Sequence, residues 1–211
     1  MQLPSEIRLR WLTREGRAVD EWYEWLGQAE RAEIESFGHP ERREEFVTGR
    51  AALRLLLSEL NGIAPDEVGL RTADDGAVEA RAPDAPSVSL AHTGPHAVAV
   101  AAPHPIGVDI ETIQPRREDL HRFLLHPDEY HIMDELDLRR AELLVLLWTI
   151  KESTLKGLRT GFRRSPKTLR LSIDAEAGRA GINVIDGEPW EVLFERRQEC
   201  WLSVAYPARI A

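Results

Sequence analysis

Apolar residues recur along the chain in alternating blocks, first at helical spacing and then at strand spacing. Trp22, Trp25, Leu26 and Ala29 repeat at three- and four-residue intervals and predict a helix over 20–36. Phe46, Leu53, Leu56, Leu57 and Leu60 predict a second helix over 40–61, which the pair Asn61-Gly62 closes. Pro65-Asp66-Glu67 starts a turn before a short strand at 68–71, and 83–86 reads as a loop. Strands follow at 88–90, at 96–102, where valine and alanine alternate, and at 106–111. The second half repeats this order. A helix or turn starts near Arg117, a linker helix spans 127–136, and a longer helix runs over 139–158, ending at Gly157 and Gly161. Strands at 168–172, 181–184, 190–196 and 201–205 complete the chain. Helix, strands, helix, strands predicts an α+β (α/β) protein of two lobes, 1–105 and 106–211, with the 106–111 strand near their junction. The letters of the two halves show no repeat.

Composition narrows the class. Of 211 residues, 43% are hydrophobic and 30% charged, which suits a packed core under a polar surface. No apolar run reaches the length that crosses a bilayer, and the first residues lack a secretion signal. The single cysteine, Cys200, excludes an internal disulfide and points to the cytoplasm; its apolar strand makes it a packing residue. None of the seven histidines pairs with a cysteine at a zinc spacing. A formal net charge of −9 argues against nucleic acid as a partner.

The chemistry concentrates in two short clusters. Asp109 and Glu111 stand two apart in a strand, so their carboxylates leave on one face. Like charges held that close repel unless a cation lies between them, and a hard, oxygen-seeking ion such as Mg²⁺ (or Mn²⁺) fits best. In Trp148-Thr149-Ile150-Lys151-Glu152-Ser153-Thr154-Leu155-Lys156, Glu152 and Lys156 are four apart and share a helix face. Glu152 can be a third metal oxygen or a base, and Lys156 can grip a phosphate.

Gly107-Val108-Asp109-Ile110-Glu111 followed by Trp148 to Lys156 resembles the hallmark of the Sfp-type 4′-phosphopantetheinyl transferase family. Gly49-Arg50 to Arg54 is similar to that family's Gly-Arg-x-x-x-Arg helix, and Ala91-His92-Thr93 to its Ser-His-Ser strand end. Phe123 to Glu129 looks like the segment before its second helix. The resemblance covers roughly residues 30–175 and implies two pseudo-symmetric lobes, each a small sheet packed with helices, with coenzyme A between them. It implies transfer of the phosphopantetheine arm of coenzyme A to a serine of an acyl or peptidyl carrier protein in polyketide, peptide or fatty-acid synthesis, by a monomer. Carried over, Asp109, Glu111 and Glu152 would hold Mg²⁺, with Glu152 also the base. Lys156 and Lys151 would neutralise pyrophosphate oxygens, while His92, Thr93, Arg43 and Arg50 would reach coenzyme A. Mg²⁺ and Lys151 beside Glu152 would depress its pKa and leave it a weak base.

Departures from that pattern fall on phosphate contacts. Ala77 stands where many members carry a lysine, with Arg71 nearby to supply some charge; Ala91 replaces a serine; and Glu44-Glu45 follow Arg42-Arg43 where cations often stand. Each lost charged hydrogen bond is worth roughly 1.5–3 kcal/mol, so weaker coenzyme A affinity is expected, with catalysis retained. Carrier proteins of this kind are commonly acidic too, so recognition must use local patches: Arg116-Arg117, Arg122, Arg139-Arg140, or Arg163-Arg164 with Lys167. The alternatives are another Mg²⁺-dependent transferase or hydrolase acting on a nucleotide diphosphate, and a non-catalytic protein that binds coenzyme A.

Overall fold

A computed structural model describes residues 1–14 and 19–208. The chain packs as two compact units, Pro4–Pro103 and His104–Ala211, the second joined by Met1–Leu3.

In the first unit the order is β1 (Arg8–Thr13), α1 (Asp20–Tyr23), α2 (Gln28–Glu35), α3 (Pro40–Asn61), β2 (Leu70–Thr72), β3 (Val78–Ala80), β4 (Ser87–Thr93) and β5 (His96–Ala102). β5 lies between β1 and β4, antiparallel to both, while β2 and β3 form a separate hairpin. The alternation in β5 has a packing reason. Ala97, Ala99 and Ala101 turn to one face, where their small side chains share a buried cluster with Val47, Ala51, Leu53 and Leu56 of α3. α3 begins with Pro40, whose missing N–H costs nothing there, and ends on Gly62 at φ 66°, which donates to Ser58 O at 2.9 Å.

One expectation fails here, and one strand had not been expected. The single helix over 20–36 is two helices, because Gly27 adopts extended backbone and donates to Glu30 Oε2 at 2.9 Å, starting α2 afresh. β1 is a strand that the helix-weighted reading passes over, although Arg-Leu-Arg-Trp-Leu-Thr carries a period of two.

The second unit runs β6 (Gly107–Thr112), α4 (Leu120–Leu124), a 3₁₀ turn at Pro127–Glu129, α5 (Ile132–Glu135), α6 (Arg140–Gly157), β7 (Leu169–Asp174), β8 (Arg179–Val184), β9 (Trp190–Arg197) and β10 (Cys200–Pro207). The strands form one antiparallel sheet in the order β6–β10–β9–β8–β7. The linker helix expected over 127–136 is broken into the 3₁₀ turn and α5, with the Glu129 carboxylate turned inward to accept from Leu171 N at 2.5 Å. Leu143, Val145, Leu146, Leu147, Ile150 and Leu155 of α6 join Val192, Phe194, Trp201 and Ala205 of the sheet in one buried cluster. Both units therefore lay their longest helix on an antiparallel sheet, a mixed α+β construction. Among the described residues no helix is long and apolar enough to cross a membrane.

Candidate metal centre and its surroundings

The candidate site is assembled where β6 and α6 touch. A Cβ on Gly107 would lie 1.9 Å from Ser153 O and 2.5 Å from Gly157 N, so only a glycine lets the strand come this close to the helix. A Cβ on Gly157 would in turn meet the Trp190 ring at 2.4 Å. Ser203, opposite Asp109 in the β10–β6 ladder, donates to Thr149 O at 2.7 Å and lies 3.0 Å from Ser153 Oγ, fixing the sheet to α6. With Gly107 against the helix, the period of two puts Asp109 and Glu111 on the same face. Four residues are about one helical turn, which stacks Lys156 over Glu152.

One ligand oxygen from each of Asp109, Glu111 and Glu152 lies within 4.8 Å of the others. Lys156 Nζ donates to Asp109 Oδ1 at 2.7 Å and lies 3.7 Å from Glu152 Oε1, bridging strand and helix. Arg116 Nη2 donates to Glu111 Oε2 at 2.6 Å. Three carboxylates thus face two internal cations. Two like charges about 5 Å apart cost roughly 3 kcal/mol at an effective dielectric near 20. Burial, followed by repulsion from Asp109 and Glu111, pushes Glu152 up to about 7 despite the opposing Lys156. Glu111 is raised for the same two reasons, burial first and Asp109 second, with Arg116 pulling against them. Burial would lower Lys156, but Asp109 and Glu152 outweigh it and hold the ammonium above its ordinary pKa.

The donor set fits a hard divalent cation: three oxygens from separate backbone positions, with no sulfur or imidazole among them. Such an ion would remove the repulsion that keeps Glu152 partly protonated near neutrality.

Lys151 requires a correction. Neighbouring positions on a helix point about 100° apart, and Lys151 turns away from the cluster, with none of its surface exposed. Its Nζ donates to the Leu169 carbonyl and to Glu129 Oε1 at 3.3 Å, and burial lowers it to about 8 against the pull of Glu129. It ties α6 to β7 and does not face a phosphate. The expectation that Lys151 depresses Glu152 fails with it: in the metal-free chain burial and the neighbouring carboxylates win, and the shift is upward.

The candidates of the first unit stand as follows. Arg50 also needs correction, since it is 4% exposed and committed inward. Its Nη2 donates to Thr72 Oγ1 at 3.0 Å, its Nε lies 3.4 Å from Glu30 Oε1, and its guanidinium sits 4.8 Å from the Phe46 ring. Burial lowers its pKa, with Glu30 opposing. Arg43 is exposed and donates to Phe37 O at 3.1 Å. Arg71 is exposed and paired with Glu79 across the β2–β3 hairpin. His92 and Thr93 end β4, where His92 Nδ1 lies 3.7 Å from Glu45 Oε2, and Glu45 Oε1 accepts from Gly94 N at 3.1 Å. Glu45 therefore turns toward His92.

Sequence reasoning missed two roles. Arg116, read as a partner contact, is the hydrogen-bond donor to Glu111; it follows β6 in irregular chain, where no period assigns it a direction. Glu129, unread, organises the turn before α6, with Oε2 accepting from His126 N at 2.7 Å.

A family model described as the 4′-phosphopantetheinyl transferase superfamily matches residues 105–207, the stretch that holds every residue of this cluster. Over those residues the chain is similar to the 4′-phosphopantetheinyl transferase superfamily. Relatives of that name match over longer stretches. A putative 4′-phosphopantetheinyl transferase of Synechocystis sp. is 28% identical over 158 residues, 72% of this chain and 64% of that protein. The 4′-phosphopantetheinyl transferase HetI of Nostoc sp. is 29% identical over 155 residues, 66% and 62% of the two chains. The 4′-phosphopantetheinyl transferase psf-1 of Bacillus pumilus is 24% identical over 164 residues, 76% and 70%. The chain thus spans less than two thirds of the length of the Synechocystis and Nostoc relatives.

Proposed function

We propose that this protein moves the 4′-phosphopantetheine arm of coenzyme A onto a serine hydroxyl of an acyl or peptidyl carrier protein, with Mg²⁺ or Mn²⁺ held by Asp109, Glu111 and Glu152. The observation that carries this reading is the convergence of those three carboxylates within 4.8 Å, with Lys156 bridging two of them. A bond forms between the serine Oγ and the phosphorus that carries the pantetheine arm. The bond from that phosphorus to the bridging oxygen breaks, and adenosine 3′,5′-bisphosphate leaves. When bound, the divalent ion supplies charge stabilisation at the diphosphate. Lys156, held as an ammonium, adds a positive charge where negative charge grows on the leaving group. Glu152 accepts the serine proton, a role supported by its carboxylate lying in the cluster one helical turn from Lys156. In the first unit, His92, Thr93 and the exposed Arg43 and Arg71 are the groups offered to the phosphates of coenzyme A, Arg71 once it releases Glu79. The single cysteine supports a cytoplasmic setting, and we take the working unit as a monomer.

The test is the intact mass of an apo carrier protein after incubation with this protein, coenzyme A and Mg²⁺, beside an Asp109→Ala control. A gain of one phosphopantetheine that disappears in the control is the expected result. No gain on a panel of acyl and peptidyl carriers overturns the reading.

A further inference from the structure

Two large apolar side chains of the second unit are exposed side by side. Phe123 on α4 is 46% exposed and Phe162 on the 3₁₀ turn Gly161–Arg163 is 45% exposed, with ring centroids 5.8 Å apart. Phe162 also packs on the half-buried Trp148 of α6 at 5.2 Å. Three separate segments thus converge to hold an aromatic surface out in solvent, where it forgoes the gain of burial.

Its position and its charge both indicate an occupant. Trp148 precedes Glu152 by four residues on α6, so the aromatic surface and the carboxylate share a helix face about 6 Å apart along the axis. The chain carries a formal net charge of −9, yet the residues that adjoin the two phenylalanines are the exposed Arg122 and Arg163. Among the described residues neither makes a salt bridge; Asp119, the carboxylate in the field of Arg122, is hydrogen-bonded to Arg117 at 2.8 Å and 3.1 Å. An apolar centre with a cationic rim matches an acidic protein that presents an apolar helix face. It also answers how two acidic proteins meet: global repulsion is offset at one local patch.

We propose that Phe123, Trp148 and Phe162, rimmed by Arg122 and Arg163, form the surface on which the acidic carrier domain docks, its serine delivered one helical turn away at Glu152. This rests on the transferase reading above.

The test combines steady-state kinetics with direct binding, for the wild type, Phe123→Ser/Phe162→Ser and Arg122→Glu/Arg163→Glu, each first checked for an unchanged thermal midpoint. The expected result is a KM for the carrier raised tenfold or more in both pairs. The KM for coenzyme A and kcat at saturating carrier stay within about twofold, and calorimetric titration of apo carrier without coenzyme A weakens in parallel. An unchanged carrier KM in both pairs, with wild-type transfer intact, overturns the docking surface alone. A wild type that binds the carrier through these residues but transfers nothing overturns the transferase reading and keeps the surface. A wild type that neither binds nor transfers overturns both. A wild-type dimer that the Phe123→Ser/Phe162→Ser pair dissociates in sedimentation assigns the patch to a second copy and overturns the carrier as its occupant.

Discussion

Replacing Gly107 with alanine tests whether the candidate site depends on how closely β6 approaches α6. The added Cβ would lie 1.9 Å from Ser153 O, so strand and helix must separate by about 1 Å before that contact reaches 3.0 Å. The obstructing atoms are backbone on the helix side, and no rotamer change relieves them. Overpacking costs about 1–3 kcal/mol, and a backbone obstacle places this substitution at the upper end, near 3 kcal/mol. The same displacement would stretch the 2.7 Å bond from Lys156 to Asp109 beyond hydrogen-bond range and open the carboxylate cluster. Urea denaturation measures the first effect and Mn²⁺ titration followed by electron paramagnetic resonance the second, with Gly38→Ala as the control because a Cβ there would meet nothing within 4 Å. Gly107→Ala should lose both stability and Mn²⁺ affinity while Gly38→Ala stays within about 0.5 kcal/mol. If Gly107→Ala also stays within about 0.5 kcal/mol and binds Mn²⁺ like the wild type, the close approach does not organise the site.

Three further outcomes follow from buried charge. Glu152 at about 7 binds a proton that the unfolded chain, near 4.5, has released, so without divalent ions stability should fall as pH rises from 4.5 to 7. The loss is of order 3 kcal/mol; urea titrations at pH 5 and 8 should show it in the wild type and not in Glu152→Gln, and identical pH responses would refute it. Lys151→Met leaves Glu129 buried without its cation and should cost about 3 kcal/mol, most of it recovered in Lys151→Met/Glu129→Gln; a strictly additive double variant would contradict a paired role. Arg54 grips both oxygens of Glu30, at 3.1 Å and 2.5 Å, and both residues are buried, so Arg54→Ala should destabilise the first unit by about 3–5 kcal/mol in chemical denaturation, with a loss under 1 kcal/mol counting against it.

The legible part of the site was the part set by short-range geometry. Asp109 with Glu111, and Glu152 with Lys156, share faces because two-residue and four-residue spacings fix direction within a strand and a helix. Lys151 was misplaced because a charged residue beside Glu152 looks like a site residue, and only its partners on the 3₁₀ turn and β7, eighteen and more residues away in sequence, show that it points inward. Arg50 was misread for the same reason: its acceptor, Glu30, comes from another helix. In the fold, α3 was legible from end to end through Pro40 and Gly62, which act locally. The break at Gly27 was not, because it depends on the Glu30 carboxylate turning back to the glycine N–H, and the tryptophan spacing runs straight across it.

The divergent directions of Lys151 and Glu152 make α6 self-indexing. A slip of the helix by one residue would carry the ammonium out of its niche beside Glu129 and turn Glu152 toward the interior, away from the cluster. Both displaced charges would be uncompensated, so the penalty falls twice for a single error of rotation. An apolar residue at 151 could fill the same space, but it would accept neighbouring angular settings almost equally. The buried lysine works as a key in a keyway: it lets α6 seat at one rotational setting, and that setting aims Glu152 at the cluster.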